Sequence, residues 1–121
     1  MRYLRAVNRA RRSVLGTRVG VADRWWLRLR GLYGRPPLAE GEGLLLRPCP
    51  AVHMVGMSYP LDVAFLDRGG TVIAVYPGLA PGARTRWHGR TAEALELPAG
   101  VLAASGTVRG DTIDCSVESA A

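Results

Sequence analysis

The 121-residue sequence contains no lysine, one phenylalanine and two cysteines, and it has no long apolar run. A membrane-spanning helix needs about 20 predominantly apolar residues, so such a helix is excluded. Cys49 and Cys115 lie far apart in the chain, which is weak evidence for a disulfide. All positive charges are arginine, which indicates a GC-rich coding bias rather than a selected chemistry.

Residues 1–16 are positively charged but contain neither an apolar segment nor a small-residue cleavage site. We therefore expect no secretory signal and a cytoplasmic protein, in which both cysteines are reduced thiols. The length suits a single domain with its own core, and the apolar and charged fractions of 48% and 21% are those of ordinary globular proteins.

The net charge of +6 is unevenly distributed. Residues 1–35 contain ten arginines and one acid, whereas the remainder contains six arginines and nine acids. We interpret residues 1–12 as a basic, flexible arm and residues 13–121 as a single β-rich domain. Such an arm can attract nucleic acid or an anionic membrane. No interleaving of aromatic and basic residues and no nucleic-acid motif accompanies the charge of the arm, which favours a solvated terminus instead.

Short apolar segments separated by glycine and proline predict a mainly β or α+β domain. One early helix is expected over residues 24–34 after an Asp23 N-cap, and a helical turn over residues 98–105. Residues 77–89 are expected to form a mobile loop. Strands are expected over residues 13–22, 44–46, 61–67, 71–76 and 91–97, with a last one within residues 107–117.

Several short motifs occur in a distinctive order from residue 13 to residue 114. They are Arg30-Gly31-Leu32 with Arg35, Gly43-Leu44-Leu45-Leu46, the Cys49…His53…Met57 run, Pro60-Leu61-Asp62-Val63 with Phe65-Leu66-Asp67, Leu95-Glu96-Leu97 with Ala99-Gly100, and Gly106…Gly110-Asp111. In this order the chain resembles the domain of unknown function 192 family of bacterial and archaeal proteins. The resemblance implies a compact β-barrel-like domain of short, mostly antiparallel strands with one or two short helices. It implies no function.

The chain departs from the commoner pattern of that family. Many members have an aromatic-Met pair followed by Lys-Asn-Thr, whereas this chain has Gly56-Met57-Ser58-Tyr59. It is similar to the subgroup with a Cys-x3-His-x3-Met run.

Cys49, His53 and Met57 are spaced by four residues each, so they share one face of either a strand or a helix. A thiolate, an imidazole and a thioether suit Cu(I), and suit zinc less well. The alternative is that the two sulfur-containing residues are core residues and that His53 bonds to the backbone. A Cys49–His53 nucleophile pair is also conceivable, although such pairs usually come from separate segments.

Asp62 and Glu96 are carboxylates set among apolar strand residues. Either one could pair with Arg30 as a clamp between helix and sheet, with Arg35 nearby, because unpaired buried charges are costly. Alternatively, the two carboxylates could line a cleft as the acid and base of a hydrolase. No nucleophile elbow, phosphate-binding glycine loop or metalloprotease helix accompanies them.

His88 lies beside Trp87 and near Arg84, Arg86 and Arg90 in the glycine-rich loop. This set could bind an anionic or aromatic ligand, or it could simply be solvated.

The leading hypothesis is a non-enzymatic ligand-binding or accessory domain without a resident cofactor. Its pocket would contain Cys49, His53, Met57, Asp62 and Glu96, supported by Arg30 and Arg35, under the loop of residues 77–89. The ligand would be a small molecule or a protein partner. The alternatives are a Cu(I) or zinc site on Cys49, His53 and Met57, and a hydrolase using Asp62 and Glu96.

Overall fold

The structure is a computed structural model that describes residues 1–24 and 36–118, and within these ranges it contains seven strands and one short helix. In chain order they are β1 (Tyr3–Asn8), β2 (Ser13–Ala22), β3 (Glu42–Leu46), β4 (Leu61–Leu66), β5 (Val72–Leu79), β6 (Glu93–Pro98), α1 (Val101–Ser105) and β7 (Ile113–Glu118). No helix in these ranges is long and apolar enough to span a membrane. A helix is predicted over residues 24–34, and residues 25–34 of it lie outside the described residues.

The strands form one sheet in the order β5-β4-β6-β3-β2-β1-β7. All neighbouring pairs are antiparallel except β2 and β3, which run parallel. The sheet curls until its edge strands meet at one end: the Val72 amide donates to the Asp111 carbonyl, and the Ile113 amide donates to the Gly70 carbonyl, both at 2.8 Å. The prediction of a barrel-like, mostly antiparallel β fold is therefore confirmed, in the form of a curled half-barrel.

The sheet separates two apolar clusters. The inner core receives residues from all seven strands and from α1, so it occupies the concave side. It comprises Leu4, Ala6, Leu15, Val19, Val21, Leu45, Ala64, Leu66, Val72, Leu95, Leu97, Leu102, Ile113 and Cys115. The outer cluster comprises Ala22, Leu44, Leu46, Val52, Met54, Leu61, Val63, Phe65, Ala92 and Ala94. Because both clusters use β4, all six of its residues are buried.

Residues 1–12, expected to be a flexible arm, instead contain β1, which pairs with β2 on one side and β7 on the other. Leu4, Ala6 and Asn8 are buried, and Arg5 between them is exposed. This alternation is the mark of a strand with one face on the core. The sequence analysis did not predict this strand, because the arginines at its exposed positions make the segment look like a charged arm.

Asn8 connects the end of β1 to the turn between α1 and β7. Its side-chain amide donates to Thr107 Oγ1 at 2.9 Å and to Asp111 Oδ2 at 3.0 Å, and its oxygen accepts from the Arg11 amide. The hydrogen bond from Asn8, followed by that from Arg11, lowers the pKa of the Asp111 carboxyl. The N-terminal strand is therefore fixed by a specific polar network as well as by its apolar face.

We expect Asn8→Ala to lower the free energy of unfolding by about 2–3 kcal/mol, because the buried partners of the amide lose their hydrogen bonds. Urea unfolding measures this effect. Arg5→Ala, on the exposed face of the same strand, is the matched control and should change stability by less than about 0.5 kcal/mol. If neither substitution changed the free energy of unfolding, residues 1–12 would be better described as the flexible arm that the sequence predicted.

Candidate functional site

Asp62 is 1% exposed and lies near the start of β4. Its Oδ1 accepts from the Gly78 amide at 2.8 Å. Its Oδ2 accepts from the amides of Gly100 at 3.1 Å and Leu102 at 2.8 Å. These two amides stand at the beginning of α1, where backbone donors have no partner within the helix. Asp62 therefore acts as a remote N-cap for α1 and also holds the bend of β5 at Gly78.

Glu96 lies on the opposite face of the sheet from Asp62. In the pairing of β4 with β6, Asp62 is opposite Leu97 of the inner core, whereas Glu96 is opposite Val63 of the outer cluster. Directly opposite residues of paired strands point to the same side of a sheet. The two carboxyl groups are thus separated by the sheet, and the structure does not bring them together as an acid and base pair.

The environment of Glu96 is apolar. The side chain is 6% exposed, and its cross-strand neighbours are Leu44 and Val63. Burial raises its pKa to about 7. No hydrogen bond or ion pair to Glu96 is found within residues 1–24 and 36–118. A carboxyl group in this state is half ionised near neutral pH.

Tyr59 is the polar neighbour of Glu96 that sequence reasoning did not select as a site residue. Its hydroxyl is buried and has no hydrogen-bond partner among the described residues. Burial raises the pKa of the Tyr59 phenol, and the nearby charge of Glu96 raises it further. The sequence signal was weak: an aromatic residue immediately before Pro60, which precedes β4.

The predicted set of Cys49, His53 and Met57 is only partly brought together. Cys49 and Met57 are half-buried against the outer cluster, and the Cys49 thiol donates to the Ala51 carbonyl at 3.1 Å. His53 is exposed and forms an isolated β-bridge with Arg84. No group of three or more His, Cys, Asp or Glu side chains within the described ranges could hold a metal ion. The soft-metal site remains a prediction.

The segment expected to be a mobile loop is instead bound at several points. β5 extends to Leu79, and the following residues pair with the segment 50–54. The Thr85 amide donates to the Val52 carbonyl at 2.9 Å, and the Met54 amide donates to the Ala83 carbonyl at 2.8 Å. These two segments form a layer over the outer cluster.

His88 is anchored beneath this layer. Its Nε2 lies 2.7 Å from the Tyr76 hydroxyl, and its ring centroid lies 4.3 Å from that of Phe65. Burial, and then the charge of Arg86, lower the pKa of His88. Trp87 next to it remains 69% exposed. His88 is therefore part of the packing, and only its neighbours extend into solvent.

Arg30, predicted to pair with Asp62 or Glu96, and Arg35, predicted to lie nearby, are outside the described residues. The clamp that they would form stays a prediction.

We expect Asp62→Asn to lower the free energy of unfolding by about 2–4 kcal/mol. Asparagine has one acceptor oxygen, and its NH₂ group would face a backbone donor. Asp67→Asn is the matched control, because Asp67 also accepts from two amides, those of Gly69 and Thr71, but in a turn that asparagine tolerates. Urea unfolding of both variants measures the difference, and equal losses would contradict the remote N-cap.

We expect Glu96→Gln to stabilise the protein in a pH-dependent manner. The folded-state pKa of about 7 exceeds the ordinary 4.5, so the stability of the native protein falls as the pH rises between these values. The loss amounts to roughly 3 kcal/mol, and glutamine does not incur it. The variant should therefore gain roughly this much relative to the native protein when unfolding is measured at about pH 8 rather than pH 4.5. The same difference at both pH values would rule out a buried, titrating carboxyl.

Two solved structures share the fold of this chain. One is a protein of unknown function from Novosphingobium aromaticivorans, with a TM-score of 0.77 and 23% identity, covering 93% of this chain and 83% of that one. The other is a protein from Sinorhizobium meliloti described as a candidate transcription regulator, with a TM-score of 0.79 and 24% identity, covering 96% and 97%. At these identities the likeness establishes the fold alone.

No curated protein matches the sequence significantly. The family model of uncharacterised proteins matches residues 6–115, which is most of the chain. The resemblance drawn from the order of the short motifs is thereby confirmed, and the chain belongs to the domain of unknown function 192 family.

Proposed function

We propose that this protein is a small, non-enzymatic ligand-binding domain whose ligand is held on the outer face of the sheet beside Glu96 and Tyr59. One observation carries the proposal: the Tyr59 hydroxyl is buried without a hydrogen-bond partner among the described residues, and it lies near the carboxyl group of Glu96, which is only 6% exposed. Leaving a buried polar group unpaired costs about 1–3 kcal/mol. An unpaired buried group in a native structure calls for a physical explanation, and a bound ligand would supply one.

The surroundings indicate the chemistry of the ligand. Leu44 and Val63 provide an apolar floor on either side of Glu96, and Met57 and Tyr59 pack against the same cluster. Ligand sites typically combine such apolar walls with a few polar groups that fix orientation. A carboxylate accepts hydrogen bonds and attracts positive charge. The ligand that fits is an ammonium or amidine group attached to an apolar body.

Binding fits these residues better than catalysis does. Asp62, the second carboxylate of the hydrolase hypothesis, points to the other face and already accepts from three backbone amides. Glu96 therefore has no second carboxylate on its face of the described sheet with which to act as an acid–base pair, if Asp62 is the only candidate. Copper or zinc binding by Cys49, His53 and Met57, and attraction of nucleic acid or membrane by the N-terminal arginines, remain predictions without a supporting contact in the described ranges.

The test uses phenethylamine, which is positively charged, and its neutral analogue 2-phenylethanol, with affinities measured by isothermal titration calorimetry. At about pH 8 the amine should bind at least about tenfold more tightly, because a charge-assisted hydrogen bond contributes more than 1.4 kcal/mol. This preference should decline as the pH falls through about 7, since Glu96 becomes protonated.

Glu96→Gln should abolish the preference for the amine, and Tyr59→Phe should weaken the binding of both compounds. Glu40→Gln makes the same chemical change at an exposed position and serves as the control. The proposal is wrong if the amine is not preferred at either pH, or if Glu40→Gln reduces the preference as much as Glu96→Gln does.

A further inference from the structure

A cavity of about 650 Å³ opens on the inner side of the half-barrel, beside the last residues of β3 and β4 and the first residues of β7, and it is flanked by both ends of β1. Its volume lies in the range of about 300–1,000 Å³ typical of small-molecule sites. The open ends of β-barrels are common positions for such sites. The cavity lies on the other side of the sheet from Glu96, so it is independent of the function proposed above.

Four arginines from different segments line this cavity, and we name them the arginine rim: Arg2, Arg9, Arg47 and Arg68. They come from the start and end of β1, from the residue after β3 and from the turn between β4 and β5. Two acids, Glu93 and Asp114, also line the cavity. Each acid faces an arginine: Glu93 Oε2 lies 2.8 Å from Arg47 Nε, and Asp114 Oδ2 lies 3.6 Å from Arg9 Nη1.

The remaining positive charge of the rim is only weakly compensated. Arg2 lies 3.7 Å from Asp23, but both side chains are about half exposed. Arg68 has no ion pair within residues 1–24 and 36–118. The nearby Asp67 uses its Oδ1 to accept from the Gly69 and Thr71 amides of its own turn. Four arginines and two acids line the cavity, and Asp23 and Asp67 lie beside it, so Arg68 is the rim arginine that has no ion pair in these ranges.

The floor of the cavity is apolar. Leu4, Leu66, Ile113 and Cys115 belong to the inner core and line the cavity below the charged groups. Burial raises the pKa of the Cys115 thiol to about 11, despite the nearby charge of Arg47, so this thiol is neutral and behaves as an apolar surface. A floor of this kind favours an organic ligand over a bare inorganic ion, because an inorganic ion has no apolar part to place against it.

We propose that the arginine rim binds a small organic anion, with a carboxylate at the rim and a short apolar body on the floor. Arginine suits this role because its planar guanidinium can donate two parallel hydrogen bonds to a carboxylate. Arg47 and Arg9 are oriented by Glu93 and Asp114, and Arg2 lies near Asp23, so Arg68 supplies the charge that the ligand neutralises.

The test compares 4-phenylbutyrate with its neutral analogue 4-phenylbutyramide by isothermal titration calorimetry at constant ionic strength. The anion should bind at one site per chain and at least about tenfold more tightly than the amide. Arg68→Gln should weaken binding of the anion by about tenfold and leave binding of the amide unchanged. Arg90→Gln removes the same charge from an exposed position outside the cavity and should have little effect.

Gly69 allows a second test that does not remove any existing contact. It lies on the cavity wall without a positive φ, and an added Cβ would meet only the Asp67 carboxyl at ordinary contact distance. Gly69→Glu should abolish binding of 4-phenylbutyrate through charge repulsion, whereas the isosteric Gly69→Gln should retain most of it. Both variants should unfold at the same urea concentration.

Equal affinities for the anion and the amide would overturn this proposal, as would equal weakening by Arg68→Gln and Arg90→Gln. The second result would show that the net charge of the whole chain attracts the anion. Neither result bears on Glu96, because the outer site is probed with a ligand of opposite charge.

Discussion

The carboxyl group of Asp62 is the interaction on which most of the architecture depends. It connects three elements that are distant in sequence: β4, which carries it, the bend of β5 at Gly78, and the first turn of α1. A buried carboxyl is tolerable only when hydrogen-bond donors surround it. Here these donors are backbone amides, so the side chain fixes the course of the main chain.

Apolar clusters cover both faces of the sheet at its centre, and this explains why the pKa of Glu96 is raised. Strands β3, β4 and β6 contribute to both apolar clusters, so a polar residue on either face of them loses its water. Backbone amides donate hydrogen bonds to Asp62 in place of water. Glu96 has no such donors in the part of the chain that the structure describes, and burial raises its pKa. The same burial therefore produces a structural residue on one face and a candidate binding residue on the other.

The strands and turns follow from local sequence, but the relation between the two carboxylates does not. The alternation of Leu61, Val63 and Phe65 places Asp62 on the opposite face of its own strand, as predicted. Whether Glu96 shares that face depends on the register of β6 against β4, which is set by long-range packing. The arginines of the N-terminal segment hid β1, because composition drew attention away from Leu4 and Ala6. The arginine rim brings together residues from three separate stretches of the chain, so no spacing in the sequence predicts it.

Residues 70–72 and residues 110–113 are joined by backbone hydrogen bonds, and we call this junction of the two edge strands the seam. Edge strands with unpaired backbone groups can recruit other chains into intermolecular sheets. The seam pairs the first residues of β5 with the approach to β7, so neither edge offers a continuous template over its full length. Gly70 permits this approach, because a side chain there would collide with the carbonyl oxygen of Ile113. A single glycine thus allows the two edge strands to cover part of each other's backbone.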